Sequence, residues 1–365
     1  MVKIKSTRDK NQNHWRNILI FLLPTTLIVW IIFIILNKSP KKVSSPSLAK
    51  NPNDIAKEVP GIKISLTGND NKPIEVVYAE PSSHSKGLVL VFHACTHNGL
   101  KLFSPSPTCK ECIGLSEEVR MVRFILQRGY TVVSITSSTK NGCWSNKDIP
   151  KIETVLQHDK FNTFHRIIAV GASSGGFMAG QLLSMQKVQA AIVMIMGLSP
   201  QIVSKLSSLL DSNNPPILYF APMPNDKGTT KRVVDNYNTL SKNKPSSSIA
   251  LDTKTCTSLP VTTQYLLQRV PNLSMPHAEY IHNTLKQNEY IHPSTNLFLM
   301  NPTNTPWRIL VSPKNETFLF DKYVLTPGYS PLAKALHRAW AFHEYCSDVI
   351  YPSFDFIEQQ LKIYY

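Results

Sequence analysis

A serine, an aspartate and two histidines stand where acyl-transfer chemistry would want them. The stretch Ile167-Ile-Ala-Val-Gly-Ala-Ser-Ser-Gly-Gly-Phe-Met-Ala-Gly180 runs from four apolar residues into Gly171-Ala-Ser173-Ser174-Gly175, then into small and apolar residues that suit a helix. A Gly-x-Ser-x-Gly turn between strand and helix needs glycine at both ends because the backbone is sharply bent and crowded, and it leaves the central serine exposed at the helix N-terminus. Ser173 is therefore the candidate nucleophile, with Ser174 off centre in the same motif. Its partners should follow in the chain order serine, acid, histidine, with oxyanion donors in the loop after an earlier strand. Upstream, VLVFHACTHNG puts His93-Ala-Cys95-Thr at a strand end, where backbone N–H groups such as that of Cys95 could act together with the N–H of Ser174. Downstream, ILYFAPMPND ends the next strand but one after the nucleophile with Asp226, the candidate acid, which would serve equally as a loop or N-cap aspartate. The tail LAKALHRAWAFHEY offers both His337 and His343 as base. On one continuous helix, six residues are about 600° of rotation, so the two face different directions and cannot both meet Ser173.

The elements around these residues alternate. Strands are expected at IKISL (62–66), IEVVYA (74–79), LVLVFH (88–93), YTVVSIT, HRIIAVG, AAIVMIMG (190–197), ILYFAP (217–222) and SIALDT (248–253). Helices are expected between them, beginning with SEEVRMVRFILQRG (116–129), capped by Ser116 and stopped by Gly129. Strands alternating with helices imply an α/β fold, a mostly parallel sheet covered on both faces. From about Thr257 to Ser330 the rhythm stops and Pro, Asn and His accumulate, with a helix-like MPHAEYIHNTLKQ and strand-like LFLM and WRILV. This reads as an inserted, cap-like subdomain at about 257–330. The tail helix LAKALHRAWAFHEY and the amphipathic SFDFIEQQLKI would close the last face of the sheet.

The N-terminal part is of another kind. After a short basic tail (1–16), residues 17–37, NILIFLLPTTLIVWIIFIILN, carry no charge, and at ~1.5 Å per residue they reach roughly 30 Å as a helix, the thickness of a bilayer's hydrocarbon core. A single transmembrane anchor is expected, uncleaved because the apolar run passes into NKSPKKV with no small-residue cleavage site. Residues 38–61 are rich in Ser, Pro, Lys and Asn and read as a stalk, leaving 62–365 as the folded domain. The positive charges before and after the anchor balance, so they set no orientation. Six cysteines and the sequons Asn272-Leu-Ser and Asn315-Glu-Thr favour a lumenal or extracellular domain in the secretory pathway. The formal net charge of +15 comes about half from the anchor's flanks, and the remaining basic residues are scattered, so no nucleic-acid partner is expected.

Metal and redox chemistry find little purchase. Cys109-Lys-Glu-Cys112 lacks the second ligand pair a structural zinc site needs. It lies in a Pro/Ser-rich loop rather than at a helix start, which leaves a local disulfide or two free thiols. His277 and His282 miss the i,i+4 spacing of a helical metal pair and read as surface or cap residues. No cofactor or metal is expected.

Taken together, residues Ile62 to Tyr365 resemble an α/β-hydrolase-fold serine hydrolase. HACTHNG followed by NGCW and GASSGG resembles the secreted polyhydroxyalkanoate-depolymerase and feruloyl-esterase-like branch, which shows His-Gly-Cys and Cys-Trp at these places; here Ala94 replaces the glycine. The segment SPTCKECIGLSEE resembles algal and plant hydrolase-like proteins. The resemblance implies a Cys95–Cys143 disulfide, and it implies that the catalytic histidine precedes the closing C-terminal helix by a short loop, which favours His343 over His337. The expected function is a membrane-anchored serine hydrolase with Ser173, Asp226 and His343 as its triad, acting on an ester of a small molecule, lipid or polymer. The competing reading is a non-catalytic α/β-hydrolase-like ectodomain that binds a partner protein.

Overall fold

The β-branched and apolar runs assemble into one sheet in a computed structural model of the chain, which describes residues 57–68, 71–209, 214–242, 250–311 and 330–364. The strands are β1 (Ile62–Thr67), β2 (Pro73–Ala79), β3 (Leu88–Phe92), β4 (Thr131–Ile135), β5 (Ile167–Ala172), β6 (Ala190–Met194), β7 (Ile217–Ala221) and β8 (Ala250–Thr253). Their order is β1-β2-β4-β3-β5-β6-β7-β8. β1 and β4 each pair antiparallel with β2, and every later neighbour pair is parallel. This mixed sheet with helices on both faces fits the α/β-hydrolase fold.

Alternation along each strand decides what each face buries. In β3, Leu88, Leu90 and Phe92 join one core, and Val89 and Val91 join the other. The first core is closed by α2 (Ile149–Gln157), α3 (Ser174–Ser184), α4 (Pro200–Ser208) and α5 (Lys227–Lys242). The second is closed by α1 (Ser116–Gln127) and by the C-terminal α10 (Ile350–Tyr364), whose Ile350, Phe354, Ile357 and Leu361 recur at helical spacing and are buried.

The insert builds a third core from α6 (Thr263–Arg269), α7 (Met275–Gln287), the single turn α8 (Trp307–Leu310) and α9 (Pro331–Trp340). Three local expectations change here. WRILV forms the helical turn α8 rather than a strand piece, with Trp307 fully buried in the insert's core. The tail helix stops at Trp340 because Ala341 is left-handed (φ 56°), so α9 packs with the insert, while α10 alone covers the sheet. His337 and His343 are consequently not on one helix. Ser116 does not cap α1; Leu115 holds the N-cap place, and the Ser116 hydroxyl donates to the carbonyl of Pro331 (3.0 Å).

Among the described residues, Val59, just before Ile62, is buried, and its N–H donates to Ser104 Oγ (3.0 Å). The anchor expected at 17–37 lies outside the described residues; among those described, no helix is long and apolar enough to cross a membrane.

All six cysteines are paired, as Cys95–Cys143, Cys109–Cys112 and Cys256–Cys346. The first is the pair that the family resemblance implies. The second settles the Cys-x-x-Cys as a local disulfide. The third closes the longest loop, with a sequence separation of 90. Peptide mapping under non-reducing conditions should recover these three pairs. In the chain-entropy account, Cys256→Ala/Cys346→Ala should lose about 4.6 kcal/mol of unfolding free energy in denaturant titration. A loss below about 1 kcal/mol would show that this crosslink restrains little of the unfolded chain.

Candidate active site

The turn after β5 is where the sequence forces the backbone hardest. Ser173 sits at φ 54°, ψ −122° between β5 and α3, a left-handed conformation that costs a non-glycine residue on the order of 1–3 kcal/mol and persists only where its surroundings impose it. Those surroundings explain the flanking glycines. A Cβ at Gly171 would lie against the carbonyl of Gly175, and a Cβ at Gly175 would lie against that of Phe92, at the end of β3. Ser173 N–H is tied to Met194 O (3.1 Å) at the end of β6. The next residue, Ile195, is itself left-handed (φ 44°), an outlier for a β-branched side chain.

The structure brings Ser173, His343 and Asp226 together. His343 Nε2 is 2.9 Å from Ser173 Oγ, and His343 Nδ1 is 2.7 Å from Asp226 Oδ2. Asp226 satisfies both of its sequence readings at once: Oδ2 meets the histidine, while Oδ1 accepts from the N–H of Thr229 (3.3 Å) in the first turn of α5. Burial works against its ionised form, but the hydrogen bonds from His343 and Thr229 outweigh that and hold the carboxyl below the usual range. The Asp226 side chain is 12% exposed and that of His343 is 42% exposed, so the site is open to solvent on the histidine side. His337 is not brought to Ser173. It faces the insert, 3.4 Å from Thr303 Oγ1.

His343 stands in a short loop, with φ 43°, between Ala341 and Cys346. Asn225, next to the acid, fastens the start of this loop: its N–H donates to Ala341 O (3.3 Å) and its side-chain amide to Trp340 O (2.5 Å). Lys334 pairs with Glu344 (2.9 Å), Tyr345 donates its hydroxyl to Phe92 O (2.8 Å), and Cys346 is crosslinked to Cys256. Beyond it, the N–H and hydroxyl of Ser347 both donate to Glu117 Oε2 (3.0 and 2.7 Å) at the start of α1.

The loop after β3 is fixed just as closely. His93 Nδ1 is 2.9 Å from Ala94 O, while Ser137 N–H donates to His93 Nε2 (3.0 Å), so the network assigns the neutral Nδ1–H tautomer. Ala94 O also accepts from His97 N–H (3.2 Å). In a trans peptide the N–H points opposite the C=O, so holding Ala94 O on this side turns the Cys95 N–H the other way. Ala94 is absent from the left-handed residues, and an alanine Cβ is compatible with the loop where the resembling branch has glycine. The Cys95–Cys143 bond and the indole N–H of Trp144, which donates to His93 O (2.9 Å), anchor HACT to NGCW. Ser174 is the first residue of α3, where a backbone N–H has no intrahelical acceptor. The other singled-out histidines lie in the insert: His277 contacts Ser274 Oγ (2.6 Å) at the start of α7, and His282 Nε2 contacts Asn296 Oδ1 (3.0 Å).

Sequence reasoning did not single out the charged groups buried behind these loops. Arg269 pairs with Glu117 and with Asp348 (2.7 Å), and Arg120 (3.0 Å) and Arg338 (2.8 Å) share Asp348. His97 lies 3.3 Å from Glu118. Their only signal in the sequence is a helix start, SEEVR, with more charge than a buried helix needs.

No protein-family model matches the chain, and no curated protein does. Among solved structures, an esterase from Pyrococcus furiosus aligns over 56% of this chain and 83% of its own, with 15% identity and a TM-score of 0.37. An esterase domain from Rhodothermus marinus aligns over 54% of this chain and 88% of its own, with 11% identity and a TM-score of 0.37. An acylaminoacyl peptidase from Pyrococcus horikoshii aligns over 55% of this chain and 37% of its own, with 14% identity and a TM-score of 0.36. Likeness at this level names no substrate, and the chemistry of the site rests on its own geometry.

Burial keeps three histidines neutral in the folded protein: His93 is lowered to about 4, His97 to about 3 and His337 to about 4. A group whose folded pKa is depressed contributes stability that is present above its unfolded value of about 6.5 and lost as pH falls toward the folded one. Burial raises Glu118 to about 7, which runs the other way, but it is one group against three. The thermal unfolding midpoint should therefore fall between about pH 6.5 and about pH 4.5. A midpoint that rises on acidification would contradict these protonation states.

Proposed function

We propose that the chain is a serine hydrolase that cleaves carboxylic esters through an acyl-enzyme. The observation that carries this reading is the unbroken relay from Asp226 Oδ2 to His343 Nδ1 (2.7 Å) and from His343 Nε2 to Ser173 Oγ (2.9 Å), on a nucleophile held in a strained turn. With Nδ1–H donated to Asp226, the lone pair of Nε2 faces the serine. As Oγ bonds to the ester carbonyl carbon, Nε2 takes the hydroxyl proton, and the Asp226 carboxylate stabilises the imidazolium. The carbonyl oxygen gains charge, which the N–H groups of Ser174 and Cys95 stabilise as the oxyanion hole. The imidazolium then protonates the leaving alcohol, and water, deprotonated by the same nitrogen, releases the acid and restores Ser173. Esters are favoured over amides because an alcohol is the easier leaving group. The ester is that of a small molecule, a lipid or a polymer, and the site's chemistry is the same for all three.

The protein as a whole is proposed to be a single-pass membrane protein, anchored by residues 17–37, with residues 62–365 on the lumenal or extracellular side. Three disulfides suit an oxidising compartment, and Asn272 of the first sequon is exposed.

A fluorophosphonate probe should label the wild type and not Ser173→Ala. Unchanged labelling of that variant would remove Ser173 from the mechanism, and a wild type that takes no label would leave the partner-binding reading in its place. On any ester that turns over, His343→Ala should lower kcat by several orders of magnitude, roughly 10³-fold or more, and His337→Ala by less than about tenfold. The reverse ranking in folded variants would move the base to His337. Glycosidase treatment should reduce the mass of protein made through a secretory route, by less once Asn272 or Asn315 is Gln; digestion of the domain by protease added outside sealed microsomes would show the opposite topology.

A further inference from the structure

Between the loop that carries Cys95 and the loop that carries His343 lies a buried group of charges that the reaction itself does not use. Glu118, in the first turn of α1, is 1% exposed, and His97, Lys101 and Glu344 are buried with it. No other residue hydrogen-bonds the carboxyl oxygens of Glu118, which have only their own backbone N–H beside them, and Nδ1 of His97, the ring atom 3.3 Å from Glu118 Oε1, has no hydrogen-bond partner. A carboxyl and an imidazole left to each other in a dry place share a proton or exchange it with solvent; they do not sit as two indifferent groups.

The neighbours fix what the proton does. Lys101 Nζ donates to Thr96 O (3.3 Å), next to Cys95, and Lys334 pairs with Glu344 (2.9 Å), next to His343. Lys334 and Lys101 both act electrostatically on Glu118, as does Glu117 beside it on the same helix, and the charge of Glu118 is felt by Tyr345 in the base loop. With Glu118 ionised and His97 neutral, two ammonium groups face two carboxylates, Glu118 and Glu344. With Glu118 protonated, its share in offsetting Lys101 and Lys334 is lost and that of Glu344 remains. We propose that Glu118 is a positioning residue of the hydrolase site, whose carboxylate, when ionised, holds the oxyanion loop through His97 and Lys101 and the base loop through Lys334, and whose protonation loosens both.

The inference rests on the serine-hydrolase reading above. Burial favours the protonated acid and Lys334 opposes it; burial wins, and Glu118 is raised to about 7. Both forms are therefore populated near neutrality. A carboxyl raised in the folded state contributes stability that is present below its unfolded value and lost as pH rises through about 7, while the organised site is gained over the same interval. Stability and reactivity move in opposite directions, which a merely structural acid would not produce.

The test is the rate of fluorophosphonate labelling of the full chain from about pH 5.5 to about pH 9, beside thermal melts and infrared difference spectra of buried carboxylic acid groups. In the wild type the labelling rate should rise through two ionisations, and a carboxylic acid band should disappear on passing about pH 7. Glu118→Gln should lack the band, show one ionisation fewer and label about tenfold more slowly at about pH 8, with a melting midpoint no lower than that of the wild type. Glu118→Asp should keep the additional ionisation. A Glu118→Gln variant with the wild-type rate and profile overturns the proposal. So does a wild type that labels but has no carboxyl titrating near neutrality, a result that needs no variant to fold. A wild type that takes no label while its carboxyl band titrates as expected overturns instead the serine-hydrolase reading on which the proposal rests.

Discussion

The end of β3 is the point on which the candidate site depends. The carbonyl of Phe92 lies where a side chain at Gly175 would have to be, so the nucleophile turn can close only against bare backbone. That same carbonyl accepts the Tyr345 hydroxyl, and the next one, of His93, accepts the indole of Trp144. The nucleophile turn, the base loop and the oxyanion loop thus converge on two consecutive peptide units of a central strand, the stiffest kind of backbone in the molecule. A displacement there would move all three at once.

Around this anchor, flexible segments are made stiff by different means. The base loop has two left-handed residues, Ala341 and His343, and so continues neither a helix nor a strand. It is held by Asn225, Lys334, Glu117 and Cys256. The oxyanion loop is held by an imidazole in a fixed tautomer and by a disulfide. The nucleophile turn relies on close packing of bare backbone besides its bond to Met194 O, which is why its two glycines are legible in the sequence while the supports of the other two loops are not.

The strands could be read because both faces of a parallel sheet are buried, and uninterrupted apolar runs such as Leu88–Phe92 have few other uses. Ser173 could be read because a strained turn demands glycine at fixed offsets. His343 could be preferred to His337 only through a family resemblance, because the break after Trp340 depends on Asn225, 115 residues away. The Cys256–Cys346 pair and the burial of Glu117 and Glu118 had no local signature: acidic residues in the first turn of a helix look like ordinary dipole partners until Arg269, Ser347 and His97 arrive from elsewhere.

The separation of the site residues along the chain also bears on how the protein comes into being. Ser173 and His343 are 170 residues apart, and the Glu117–Ser347 bond spans 230. Contacts of such range are the last that a growing chain can make, and loop closure must come before they reward it. The sheet from β1 to β7 can begin to assemble during synthesis, but the base arrives only after the insert has been completed. A partly synthesised chain already bears its serine and its oxyanion loop, yet has nothing to activate them. On the proposed reading, hydrolysis would be deferred until the polypeptide had been made past the loop that carries His343.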